Sequence, residues 1–356
     1  MSKATKIASF DPNGLGDRSN NIYGLPFTCD ESEVVIVPVP WDVTVSYSDG
    51  TSNGPQAVYN ASMQVDLFDP IARDAWKLGL AMDDIPPYWV AENNLLREKA
   101  RNYIDLLEEG QSPETNHDMA ETLKTVNAAS AELNTWVKNK CTEWMNKGKL
   151  VALLGGEHST PLGLMQALGE KYPGYAVLQI DAHADLRDAY EGFEFSHASI
   201  MFNALKISGL GKLVQVGIRD FCQAEADLIA NSGGRVVTFF DRDIKRRQFE
   251  GMTWHQQCEQ VVAELPEHIY ISFDIDGLDP KLCPGTGTPV AGGFEFEQAV
   301  YLLELAVKSG KKIIALDLNE VAPHPEGHDE WDANVGARLL FRMCNLMAFS
   351  QYRFGK

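Results

Sequence analysis

Eight short apolar runs recur along the chain, at 33–40, 78–86, 149–156, 174–181, 212–220, 234–240, 268–276 and 311–320. Runs such as "EVVIVPVP", "KLVALLGG" and "GYAVLQID" are continuous rather than alternating. A strand buried on both faces reads this way. Helical stretches separate the runs, among them 90–109, 117–147, 253–264, 294–308 and 334–350, and Pro55 opens another at the place proline favours. Strand and helix repeated in this order require parallel βαβ units. The expected fold is a three-layer α/β/α domain around a central, mainly eight-stranded parallel sheet. It spans 33–356, and an irregular N-terminal arm covers 1–32. In such sheets the ligand site lies at the carboxyl ends of the strands.

Composition narrows the partners. The 356 residues carry a net charge of -19, which sets the chain against nucleic acid and anionic membranes and suits a cationic substrate. No apolar run approaches the ~20 residues needed to span a bilayer. The first residues lack the apolar core of a signal peptide. The six cysteines are scattered with no CxxC pair, which fits a reducing compartment. The expected location is the cytoplasm.

Chemistry concentrates where the runs end. "GGEHS" places His158 just past one strand, and "DAHAD" places Asp181, His183 and Asp185 past the next. "SFDIDG" supplies Asp274 and Asp276, and "DLNE" supplies Asp317 and Glu320. Side chains two apart in an extended chain share a face, so each Asp-x-His-x-Asp or Asp-x-Asp set is expected to point at one place. A lone residue of this kind is ordinarily a loop cap or a satisfied core group. Four carboxylates and two imidazoles converging would repel one another unless cations sat between them. Two divalent ions about 3.5 Å apart satisfy that charge. Oxygen and nitrogen ligands without thiolate favour Mn2+, with Ni2+ the main alternative and cobalt or iron behind it.

Together, "GGEHS", "DAHADLRD" and "SFDIDGLDPKLCPGTGTP" resemble the signature segments of the ureohydrolase family, arginase and agmatinase among them, over about 33–350. The resemblance implies an arginase-like fold, a binuclear manganese centre and hydrolysis of a guanidinium C–N bond to urea and an amine. It assigns His158 and Asp185 to one ion, His183 and Asp276 to the other, and Asp181 and Asp274 as bridges. Two ions would bring a shared water towards hydroxide near neutral pH, for attack on the guanidinium carbon. The resemblance makes Glu320 the carboxylate that holds the guanidinium, and His197 a proton shuttle titrating near neutrality. Asp185 or Asp181 would take the proton of the hydroxide.

"DLRDAYEGFEFSHAS" looks most like the agmatinase branch, with Arg187, Tyr190 and Gly192 ahead of His197, and it adds Arg187 as a substrate-binding candidate. Several segments depart from a plain agmatinase: 199–205, Val290, the long 322–340 stretch and the expanded 87–147 region. Acids of the long stretch together with Trp331 would close the pocket over free guanidine. The substrate readings are therefore agmatine, guanidine, a guanidino acid or a biguanide. Formimidoylglutamase, a one-zinc deacetylase and a non-catalytic metal-binding partner subunit are the alternatives. The resemblance also implies a homotrimer or homohexamer.

Overall fold

The protein is described by a computed structural model over residues 1–323 and 330–352. Its strands are β1 (Val34–Val39), β2 (Leu80–Met82), β3 (Leu150–Gly155), β4 (Tyr175–Ile180), β5 (Leu210–Ile218), β6 (Val236–Phe240), β7 (His268–Asp274) and β8 (Lys312–Asn319). They form one sheet in the order β2-β1-β3-β8-β7-β4-β5-β6, and each neighbouring pair is parallel. The α-helices are α1 (Lys3–Ser9), α2 (Gly54–Ser62), α3 (Pro87–Glu108), α4 (His117–Asn146), α5 (Leu162–Lys171), α6 (Ile200–Ala204), α7 (Gln223–Asn231), α8 (Asp241–Phe249), α9 (Trp254–Ala263), α10 (Phe296–Lys308) and α11 (Trp331–Tyr352).

The continuous apolar runs have the cause inferred for them. Every residue of β1 and β4 is buried, because helices cover both faces of the sheet. Ile36, Leu154, Leu178 and Ile271 pack on one side with Val58 of α2, Val261 of α9, Leu303 of α10 and Leu340 of α11. Their strand neighbours Val37, Leu153, Val177 and Tyr270 face the other side, against Leu96 of α3, Leu133 of α4 and Met165 of α5. This is the three-layer arrangement expected. The central order β3-β8-β7-β4 sets the carboxyl ends of those four strands side by side.

Two boundaries differ from expectation. The N-terminal arm is not wholly irregular: it holds α1, started by Ser2, whose side chain accepts from the Thr5 N–H. Ile22, Tyr23, Leu25 and Phe27 of the arm are buried in the core. The last helix begins at Trp331, three residues before the expected Asn334. Among the described residues no helix is long and apolar enough to cross a membrane.

The expanded 87–147 region is a hairpin of two long helices. Pro87 stands in the first turn of α3, and the Asn116 side chain caps α4 by accepting from Asp118 N and Met119 N. Gly163 of α5 lies against α4 so closely that a Cβ would sit 2.2 Å from Asn134 O and 2.6 Å from Lys138 N. Gly163→Ala is therefore expected to lower stability by about 1–3 kcal/mol through overpacking. Thermal unfolding checks this, and an unchanged midpoint would contradict the close approach.

Candidate metal centre

β3 leaves the sheet through Gly156, where a Cβ would lie 2.0 Å from Trp41 O. Only a residue without a side chain lets the two segments pass this closely. His158 follows, and its backbone N–H donates to Glu320 Oε1 at 2.8 Å, so the ends of β3 and β8 are tied together. Past β4, the Asp181 carboxylate accepts from the His183 N–H at 2.6 Å and from Gln179 Nε2 at 2.9 Å. Past β7, the Asp276 N–H donates to Asp274 Oδ1 at 2.8 Å, and the Ala182 N–H donates to Asp276 Oδ1 at 3.0 Å. The last bond joins the ends of β4 and β7.

The acids converge, but not by strand alternation. β4 stops at Ile180, and Asp185 has φ +55. Asp276 sits in a 3₁₀ turn, Ile275–Gly277. Turns and a left-handed residue do what the extended pattern was expected to do. Glu320 also has a positive φ, of 62°. Strained backbone at non-glycine residues gathers at functional sites.

Two groups of ligand atoms form, His158–Asp181–Asp185 and Asp181–His183–Asp276, each with its atoms within 4.8 Å of one another. Asp181 belongs to both. His158 Nδ1 lies 2.9 Å from Asp181 Oδ2, 3.2 Å from Asp185 Oδ2 and 3.4 Å from Asp274 Oδ2. His183 Nδ1 lies 2.9 Å from Asp276 Oδ2. The residues fit a pair of metal ions: His158 Nδ1 and Asp276 Oδ2 are buried without a hydrogen-bond partner, one in each group. A buried polar atom left so is costly unless something else binds it.

Ligand atoms are held from behind, as metal ligands generally are. His158 Nε2 is 2.9 Å from Ser272 Oγ, which donates to Asp317 Oδ1 at 3.2 Å. Asp317 also accepts from Tyr270 OH. Gln179, which holds Asp181, accepts in turn from Gln215 Nε2 at 2.7 Å. Asp317 thus stands behind the site as an orienting group.

The electrostatics follow from burial. Burial, with repulsion from Asp181, pushes Asp185 up to about 7. Burial and the neighbouring Asp276 and Asp181 push Asp274 well up. Burial acts the same way on Asp181, but the close imidazoles of His158 and His183 outweigh it and hold that carboxyl down. Burial works to lower His158 and is overcome by Asp181, Asp185 and Asp274, which raise it well above its usual value.

A cavity of about 460 Å³ opens over the cluster, lined by His183, Asp185, Arg187, Tyr190 and His197 together with Ser46, Tyr47, Asp220, Phe221 and Val290. The Arg187 guanidinium lies over the Tyr190 ring at 4.8 Å, and its Nε is 4.0 Å from Glu225 Oε2. His197 departs from expectation: burial and the neighbouring His183 push its imidazole down to about 3 rather than near neutrality. Glu320 is buried and pushed up by that burial and by Glu157. The indole N–H of Trp331 donates to Lys281 O, and Trp331 is not among the described residues lining the cavity. His324, Glu326, His328 and Asp329 of the same stretch lie outside the described residues.

Glu157 is the residue that sequence reasoning passed over. It is fully buried, accepts from Thr44 Oγ1 at 2.8 Å and Ser159 Oγ at 2.8 Å, and lies 4.0 Å from His197 Nδ1. Burial pushes it up to about 8. Its signal was available: a charged residue placed between a buried strand and a ligand histidine.

A metal-free chain with raised carboxyl groups binds protons that a metal must displace. The folded apo state gains stability from those protonated acids at low pH and loses it as pH rises through the raised values. Stabilisation by added Mn2+, read as a shift in unfolding temperature, is therefore expected to grow between about pH 6 and 8. Asp181→Asn, which alters the carboxylate common to both groups, is expected to lose most of that shift. A shift independent of pH, or an undiminished one in the variant, would contradict the site.

Comparison with known proteins supplies the family and agrees with the fold. Residues 32–345 match the Arginase family. The N(1)-aminopropylagmatine ureohydrolase of Thermus thermophilus is 31% identical over 318 residues, 89% of this chain and 91% of that one. The agmatinase of Bacillus anthracis is 26% identical over 302 residues, 85% of this chain and 87% of that one. The crystal structure of the agmatine ureohydrolase of Thermoplasma volcanium superposes with a TM-score of 0.71 at 21% identity, covering 98% of this chain and 99% of that one. A buried, strand-end cluster of this composition, on this fold and in this company, places the chain in the arginase family.

Proposed function

We propose that the chain is a binuclear-metal ureohydrolase of the agmatinase type, which cleaves a guanidinium C–N bond to give urea and an amine. The observation that carries this reading is the pair of His/Asp groups sharing Asp181 at the floor of the cavity. His158, Asp181 and Asp185 would hold one ion, and Asp181, His183 and Asp276 the other, with Asp274 completing the set. Mn2+ is the metal we favour and Ni2+ the alternative. What such a pair supplies when bound is Lewis-acid activation of water for attack on the planar guanidinium carbon.

The side chains of the protein then divide the remaining work. Glu320 uses Oε1 for the His158 N–H, which leaves Oε2 to accept from a guanidinium N–H. Glycine at 287 keeps that oxygen open, since a Cβ there would stand 3.3 Å from it. His197, held neutral by burial, offers one acceptor and one donor nitrogen. It can take up a proton on one side and release one to the departing amine from the other. Arg187 and Asp220 place both signs of charge at the mouth, where the tail of a substituted guanidine would lie. A cavity of about 460 Å³ suits a guanidine that carries such a tail. The Trp331 indole N–H, taken by Lys281 O, supports this reading over closure on free guanidine. A homo-oligomer, trimer or hexamer, in the cytoplasm completes the proposal.

The test is urea release by protein loaded with Mn2+ or Ni2+ from agmatine, guanidine, arginine, guanidinobutyrate, guanidinopropionate and formiminoglutamate. Agmatine is expected to give the highest kcat/KM. Preference for guanidinobutyrate would assign Arg187 to a carboxylate tail, and preference for guanidine would overturn the tail argument. No urea from any of them, with both ions bound, would leave a metal-binding partner subunit. His197→Ala is expected to slow kcat by about 10²–10⁴-fold with metal content intact. An unchanged kcat would remove the proton-handling role.

A further inference from the structure

Two of the loops that wall the cavity lie outside the sheet. The first, residues 41–53, contributes Ser46 and Tyr47; the second, residues 186–199, contributes Arg187, Tyr190 and His197. Loops are the least stable part of a fold unless something ties them down. Both are tied to the same element, the α3–α4 hairpin.

On the first loop, the Asp42 N–H donates to Asn93 Oδ1 of α3 at 2.7 Å, and Asn93 Nδ2 returns a bond to Asp42 Oδ1 at 3.0 Å. One turn on, Arg97 Nη1 donates to Val45 O at 2.7 Å and Val43 O at 3.2 Å. Both α3 side chains are buried. An arginine buried for the sake of main-chain carbonyls fixes the path of the loop, because its planar fork admits few geometries.

On the second loop, Tyr103 OH of α3 donates to Glu191 O at 2.9 Å, and its ring packs on Phe193 with the centroids 5.3 Å apart. Asn127 Nδ2 of α4 donates to Gly192 O at 3.2 Å, and Asn127 Oδ1 accepts from the Glu194 N–H at 2.9 Å. Glu191 holds φ +54 at the turn so gripped. A residue other than glycine keeps that conformation only where its surroundings impose it. None of the four gripping side chains lines the cavity.

We infer that the α3–α4 hairpin is a clamp on two of the loops that wall the cavity, in which Asn93, Arg97, Tyr103 and Asn127 are positioning residues. They fix where Tyr47, Arg187 and Tyr190 stand, and so how a substrate tail is received, without touching the substrate or the metal ligands. This use of the clamp rests on the hydrolase reading, but the clamp itself does not.

The test is the double variant Tyr103→Phe, Asn127→Ala in the full-length, metal-loaded protein. It removes hydroxyl and amide while keeping the ring on Phe193. Amide hydrogen exchange in 188–195 is expected to speed up about tenfold or more, with exchange in the sheet and metal content unchanged. For the best substrate, KM is expected to rise about tenfold while kcat stays within about threefold. Unchanged loop exchange would overturn the clamp, as would a loss of metal or a general rise in exchange, which would mark a merely structural role. Faster loop exchange with unaltered KM would overturn its part in substrate reception. Asn127→Ala alone, at a half-buried position, gives the same readouts if the double variant folds poorly. If the parent protein releases no urea, the hydrolase reading fails by itself and loop exchange alone decides the clamp.

Discussion

Like charges buried together are the constraint that this fold is built around. Asp181, Asp185, Asp274 and Asp276 are all at least 95% buried, and His158 and His183 stand among them. Two like charges 4 Å apart repel by about 4 kcal/mol at the effective dielectric of a protein. Backbone N–H groups from 182, 183 and 276 meet part of that charge, and the imidazoles meet more. Two atoms, His158 Nδ1 and Asp276 Oδ2, stay without a hydrogen bond. The cluster is a poor use of carboxylates in a protein with no cation to bind, and a good one for a protein with two.

The sheet order explains how such a cluster can be assembled. Only neighbouring strands can deliver side chains to one point, and β3, β8, β7 and β4 are neighbours. Their carboxyl ends supply His158, Glu320, Asp274 with Asp276, and Asp181 with His183 and Asp185. Cross-links between those ends, His158 N–H to Glu320 and Ala182 N–H to Asp276, are made by the site residues themselves. The site is thus part of what holds the strand ends in register, and its charge balance bears on stability as well as chemistry.

Much of this was legible in the sequence because the signals were local. A parallel strand covered on both faces must be apolar throughout, so Val34–Val39 and Tyr175–Ile180 announce themselves. An acid or histidine just past such a run is conspicuous, which is why His158, Asp181 and Asp274 could be read. What remained hidden depends on backbone turns and distant partners. Asp276 and Asp185 were named as ligands, but their route was not: one reaches the cluster through a 3₁₀ turn and the other through a positive φ, neither of which residue spacing encodes. Tyr103 grips a loop 88 residues away and Asn127 one 65 residues away, with no periodicity to mark either. The state of His197 could not be read because burial beside His183, not the nature of imidazole, sets it.

The central claim is that one shared carboxylate joins two cation sites. Metal content measures it most directly: the protein is dialysed to equilibrium against Mn2+, then the bound metal and the chain are quantified together. The account predicts two ions per chain. One ion per chain, or none, would contradict it.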